Sequence, residues 1–161
     1  MNQYNFPTVL FYGADALKDL APAIQKRGLK SLLLVTDPGL VQIGLADTVK
    51  STLTSSGLNI AIFDNVHPNP IEEDVATGVE MYKSGGFDGI IALGGGSAMD
   101  VAKTIRFMAV HEPPLAQYDD ALGGDAKIVN PMPPLFAIPT TAGTGSEAVP
   151  HTHLRAHQTE A

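Results

Sequence analysis

The stretch Ile90-Ile91-Ala92-Leu93-Gly94-Gly95-Gly96-Ser97-Ala98-Met99-Asp100-Val101-Ala102-Lys103 passes from an uninterrupted apolar run, through three glycines, into a segment with helical spacing. A short apolar run bounded by glycine reads as a strand buried on both faces. Glycines, lacking Cβ atoms, let backbone N–H groups come close to a bound anion. A helix opening near Ser97 would aim its unpaired amides and the positive end of its dipole at the same point. The reading is strand, phosphate cradle, helix. A second hydroxyl- and glycine-rich segment, Pro139-Thr140-Thr141-Ala142-Gly143-Thr144-Gly145-Ser146-Glu147, follows the apolar residues 135–138. Two such loops suit one elongated phosphorylated ligand better than two unrelated turns.

Working outward, the same alternation repeats. Residues 31–35 read as a fully apolar strand, 46–55 as a helix, and 58–63 as a second strand. After the turn-rich segment 64–70, Ile71, Val75, Val79 and Tyr82 share one face of a helix that Gly85 and Gly86 end. Strand 89–93, helix 97–109 and strand 135–138 follow, the last after a Gly-, Pro- and Asp-rich excursion over 113–134. At the N-terminus a β-rich run at 8–12 precedes a helix over 14–27 that Pro22 would split or kink. Apolar strands separated by amphipathic helices define an α/β fold, a Rossmann-like parallel sheet with helices on both faces. Ligands of such sheets sit at the carboxyl ends of the strands. Asp37, Asn69, Gly94 to Ser97 and the segment 139–146 all fall just behind expected strands, so four segments should converge on one edge.

Composition narrows the function classes. With 17 acidic and 10 basic residues the formal net charge is −7, which argues against nucleic acid as a partner. The absence of cysteine excludes disulfides, thiolate zinc sites and a cysteine nucleophile. No secretory signal is visible, and no apolar run approaches the roughly 20 residues of a membrane helix, so a cytoplasmic protein is expected.

Each candidate residue has a plainer reading beside the functional one. Asp37 can accept hydrogen bonds from a ribose diol, or close an Asp-Pro-Gly turn through its own side chain. Asp100 can serve the site or compensate the dipole of the helix it opens, and Lys103 can pair with Asp100 or lie near phosphate. Thr140, Thr141, Thr144 and Ser146 offer more hydroxyls than a plain turn needs. The triple glycine is not the usual dinucleotide fingerprint, because Met99 stands where the third glycine belongs, and no Gly-Lys-Ser/Thr makes it a P-loop. His67 and His111 fall in loop or helix-end positions and are expected to be solvated. His151, His153 and His157 suggest a metal, but their segment holds one large aliphatic residue and no carboxylate in reach. A disordered or foreign tail is the expected reading.

In combination these motifs resemble the group III, iron-containing (metal-dependent) alcohol dehydrogenases. Gly94 to Ser97 with Asp100 and Lys103, the loop 139–147, Thr36-Asp37-Pro38-Gly39 and Pro68-Asn69-Pro70 match in the expected order, over about residues 4–148. The resemblance implies an NAD-binding α/β domain over residues 1–148, followed by an atypical, disordered tail over 149–161. It implies that Gly94, Gly95, Gly96 and Ser97 hold the pyrophosphate and Asp37 the adenosine ribose. Thr140, Thr141 and Thr144 would line the adenine and phosphate side, with Asn69 nearby. Asp at position 37 goes with NAD rather than NADP in that family. Fe²⁺ or Zn²⁺, bound by one Asp and three His of a helical second domain, is implied for whole members; no metal ligand carries over to this chain. The expectation is a truncated or frame-shifted product, foreign after about Glu147 and inactive alone, whose parent moves hydride between NAD and an alcohol or aldehyde.

Other readings remain open at this level. A glycerol dehydrogenase or dehydroquinate synthase type on the same fold would share these motifs. A stand-alone nucleotide-binding module would need no catalytic half. A kinase with a glycine-glycine-aspartate-glycine loop is disfavoured, because Ser97 follows the glycines and no aspartate lies among them. A homodimer through the N-terminal strand is a further expectation of the resemblance.

Overall fold

The computed structural model describes residues 15–119 and 123–146, together with Val9, Phe11, Gly13 and Ala121. Val9 and Phe11, the described members of the strand expected over 8–12, are exposed and belong to no strand; the rest of that segment and the tail from residue 147 lie outside the described residues. The elements run α1 (Leu20–Lys26), β1 (Ser31–Val35), α2 (Pro38–Gln42), α3 (Leu45–Thr54), β2 (Asn59–Phe63), α4 (Glu72–Gly85), β3 (Gly89–Gly94), α5 (Gly96–Met108) and β4 (Leu135–Pro139). Short 3₁₀ turns lie at Ala16–Asp19, Leu115–Tyr118 and Gly124–Lys127. The helix expected over 14–27 is thus divided: a 3₁₀ turn leads into α1, and Pro22 sits in the first turn of α1, where its missing N–H costs no bond.

All four strands are parallel, in the order β2-β1-β3-β4. The chain steps from β1 outward to β2, then crosses back over β1 to β3, so the direction of winding reverses between β1 and β3. That reversal leaves a crevice at the carboxyl ends of those two strands, where the crossover connections diverge. Alternation along the buried strands feeds two cores. Leu32 and Leu34 of β1, with Ile91 and Leu93 of β3, pack with Ile24 of α1 and Ala46, Val49 and Leu53 of α3. Leu33, Val35, Ile90 and Ala92 face the other way, onto Met99, Ala102 and Ile105 of α5 and Tyr82 of α4. Every side chain from Leu32 to Val35 is fully buried, worth about 1.5–3 kcal/mol for each large aliphatic residue. The helices do cover both faces.

The edges differ from the centre. In β4, Ala137 is exposed and Phe136 and Ile138 are half-buried, because β4 bounds the sheet among the described residues. In α4 the buried positions are Asp74, Gly78 and Tyr82, whereas Ile71 is the exposed N-cap and Val75 and Val79 are half-buried. Of the apolar stripe read from the sequence, Tyr82 lies on the contact line, Val75 and Val79 pack against the core from its flank, and Ile71 stays outside. Gly78 sits on that line, and a Cβ there would stand 2.2 Å from Ile105 Cδ1, so the α4–α5 contact uses its missing side chain. No helix among the described residues is long and apolar enough to cross a membrane.

Candidate functional site

β3 ends in Gly94 with φ +147°, a backbone conformation that side-chain-bearing residues rarely adopt. The turn carries the chain from the sheet into α5, whose N-cap is Gly95. No side chain caps that helix, so its first amides are left for solvent or a ligand. The glycines also answer to close packing. A Cβ on Gly94 would lie 2.7 Å from Ala98 Cβ and 3.3 Å from Asp37 Oδ2, and one on Gly95 would lie 3.1 Å from Thr141 Oγ1. A Cβ on Gly96 would meet Ser146 Oγ and Thr144 Cγ2, each at 3.6 Å.

Asp37 stands at the carboxyl end of β1 and caps α2. Its Oδ1 accepts from Leu40 N at 3.1 Å, and Pro38 occupies the first helical turn. The turn reading of Asp37 is therefore realised, as a helix cap. Its second oxygen lies on the Gly94 side, as the 3.3 Å approach shows.

The walls are tied to α5. Ser97 Oγ donates to Pro68 O at 2.7 Å, holding the loop behind β2 against the helix N-terminus. Thr140 N donates to Gly94 O at 3.0 Å, extending the β3–β4 pairing into the second loop. Lys103 Nζ donates to the Ser146 carbonyl, so Lys103 secures that loop from one turn further along α5. Together these segments enclose a cleft of about 630 Å³, lined by Asp37 to Leu40, Asn65 to Pro68, Gly95 to Ala98, and Thr140 with Thr141. Its size suits a small-molecule or cofactor site.

Of the residues expected from sequence, the cleft thus brings together Asp37, Gly95, Gly96, Ser97, Thr140 and Thr141. Gly94 lies beneath them, and Thr144 and Ser146 stand against Gly96. Asn69 and Asp100 are exposed and outside the lining, with Asn69 one residue beyond Pro68 and Asp100 on the first turns of α5.

The expectation that both described histidines are solvated holds for His67, which is exposed although engaged by a carboxylate, and is corrected for His111. His111 is buried, stacked on Phe107 at 4.3 Å, with Nδ1 2.9 Å from Phe107 O. His67 lines the cleft, with Nδ1 2.7 Å from Asp74 Oδ1. Asp74 is wholly buried, and its Oδ2 also accepts from His67 N at 3.2 Å and Ile71 N at 3.3 Å. Local pattern does not reveal the Asp74–His67 contact, because an acidic residue in a first helical turn normally reads as dipole compensation.

The family model for iron-containing alcohol dehydrogenases matches residues 7–160. The chain belongs to the iron-containing alcohol dehydrogenase family. The matched segment runs on through the tail that the motifs set apart. A choline dehydrogenase of Bacillus subtilis (strain 168) is 42% identical over 144 residues, covering 89% of this chain and 36% of the relative. A crystal structure of 1,3-propanediol oxidoreductase superposes with a TM-score of 0.81 at 39% identity, covering 91% of this chain and 37% of that one. The sulfoacetaldehyde reductase from Bifidobacterium kashiwanohense in complex with NAD⁺ gives a TM-score of 0.78 at 28% identity, covering 92% of this chain and 38% of that one. The chain thus spans little more than a third of the length of these dehydrogenases and reductases. Among its described residues, no three His, Cys, Asp or Glu side chains come together to hold a metal. The described residues therefore do not fit the metal of the family.

Proposed function

We propose that the cleft binds NAD, and that the chain is the dinucleotide-binding part of an alcohol dehydrogenase. The observation that carries this is the uncapped N-terminus of α5 behind Gly94 and Gly95, at the point where the winding of the sheet reverses. Gly94, Gly95, Gly96 and Ser97 take the diphosphate, whose charge is met by amides and the helix dipole. Asp37 takes the adenosine ribose diol through the oxygen not engaged with Leu40. Thr140, Thr141 and Thr144, with Ser146, supply hydroxyls to the far wall, and Asn69 and Asp100 stand at the rim. When bound, the nicotinamide supplies the hydride acceptor for an alcohol, or the donor for an aldehyde. The residues here bind and orient it. An NAD-bound reductase among the similar structures supports the cofactor assignment.

Titration of the full chain with NAD and NADP tests the reading: saturable binding of NAD, tighter than NADP, is expected, and no saturable binding of either overturns it. Alcohol-dependent NADH formation by the purified chain should be absent, because the described residues hold no metal site to activate the alcohol oxygen. Turnover by the chain alone would overturn that part.

A further inference from the structure

Among the described residues that line the cleft, Asp37 and His67 are the ionisable ones, and none is a lysine or arginine. A dinucleotide carries a diphosphate dianion, and Asp37 can only repel it. His67 is the lining residue able to carry a positive charge. It is also held more firmly than its half-exposed ring requires. The Asp74 carboxylate, fully buried behind it, accepts from the ring at Nδ1 and from the His67 backbone amide, while Ser97 fixes the adjoining Pro68 carbonyl. A buried carboxylate that orients an imidazole by one nitrogen leaves the other nitrogen, Nε2, to act on whatever occupies the site.

We propose that His67, oriented by Asp74, is a further cofactor-binding residue: as the imidazolium it donates from Nε2 to the diphosphate of the bound dinucleotide. Asp74 is its positioning residue. This rests on the cleft being the dinucleotide site. The cleft then has a negative end at Asp37 for a ribose diol and a positive end at His67 for phosphate, and that polarity fixes which way the ligand lies. The other charged groups on the surrounding elements are Asp64 of the same loop, Glu72, Glu73, Glu80 and Lys83 of α4, Asp100, Lys103 and Arg106 of α5, and Asp37 across the cleft. Lys103 is committed to the Ser146 carbonyl.

The test is calorimetric titration of the full chain with ADP-ribose and with adenosine, at pH values from about 5 to about 8. ADP-ribose is chosen because its diphosphate does not titrate there. Wild type should bind ADP-ribose about tenfold more tightly at the acid end, as a charge-assisted hydrogen bond requires, with adenosine binding flat. His67→Gln should abolish the slope for ADP-ribose and leave adenosine unchanged. Asp74→Asn, which keeps the ring but removes its counter-charge, should weaken ADP-ribose at the acid end without changing adenosine. If that variant does not fold, His67→Gln decides alone. A slope that survives His67→Gln, or a loss in that variant that is the same at both ends of the range, overturns the assignment. Wild type binding neither ligand would overturn the dinucleotide reading as well, whereas good binding with an inert His67 overturns only this inference.

Discussion

Gly94→Ala and Gly95→Ala should separate the folding role of the glycine turn from its binding role. Gly94 has φ +147°, so an alanine there is strained by about 1–3 kcal/mol before any contact is considered. Its Cβ would also stand 2.7 Å from Ala98 Cβ, an atom fixed to the backbone of α5 that cannot swing aside. Overpacking of that kind adds about 1–3 kcal/mol. The two terms together predict a loss of about 2–6 kcal/mol, or a fall in Tm of roughly 4–24 °C for a chain of this size. Gly95 has φ −84° and ψ −164°, an extended conformation open to alanine, and its Cβ would meet first only Thr141 Oγ1 at 3.1 Å, on an exposed side chain that can give way. Gly95→Ala should therefore melt within about 2 °C of wild type. It should nonetheless bind NAD at least about tenfold more weakly, because the added methyl occupies the approach to the amides of α5. Thermal unfolding by circular dichroism and titration with NAD read the two effects separately. A Gly94→Ala protein that melts with wild type, or a Gly95→Ala protein that binds NAD with full affinity, would refute the reasoning.

Three further outcomes follow from the same geometry. Asp37→Gly should lose NAD affinity and gain some NADP affinity, since like-charge repulsion of a 2′-phosphate is relieved but no cation replaces it; an unchanged ratio in competition titrations would leave Asp37 a helix cap only. Burial, and then the carboxylate of Asp88, pushes the Tyr82 phenol up, so its stabilising contribution is whole below about pH 10 and is lost as pH rises beyond it. Tyr82→Phe should flatten the fall in urea midpoint between about pH 10 and pH 12, and an identical fall in both proteins would contradict the assignment. Gly78→Ala should destabilise by about 1 kcal/mol in urea unfolding, because crowding against the fully buried Ile105 outweighs the gain in helix propensity, and a more stable variant would show that the α4–α5 contact has slack.

The parts of this fold that were legible in the sequence are those with a local cause. The runs Leu32 to Val35 and Ile90 to Leu93 are apolar without interruption because both faces of a central strand are buried, and their bounds follow directly. Gly94 announced the turn into α5, because its φ of +147° is one that side-chain-bearing residues rarely adopt. The helix α2 was missed although its signals were present, a capping Asp37 followed by Pro38, because five residues carry no apolar period to read. Asp74 could not have been found. Its burial depends on the loop 64–71 folding back over α4, a contact across seven residues of chain that no periodicity encodes. His111 is a parallel case: its ring is buried through Phe107 in the last turn of α5 before it and Tyr118 from the excursion beyond it.

The same distinction explains how the site is built. Each wall of the cleft comes from a different connection, and each is fastened to the start of α5 or to the strand end before it: the β2–α4 loop through Ser97 to Pro68, and the loop after β4 through Thr140 to Gly94 and Lys103 to Ser146. The remaining wall, α2, abuts Gly94 through its cap, Asp37. The helix proposed to offer its amides to the dinucleotide is therefore also the part that sets the positions of the other walls. A shift of α5 by a fraction of an ångström would displace all of them together, and a ligand seated on its first turn stabilises the whole arrangement. Ser97→Ala separates these roles, since it releases one wall and leaves the amides in place. It should cost about 1 kcal/mol in stability and should weaken ADP-ribose more than adenosine, because the wall it frees is the one that carries His67. Equal weakening of both ligands would mean that the fastening acts on the cleft as a whole and not on the phosphate end.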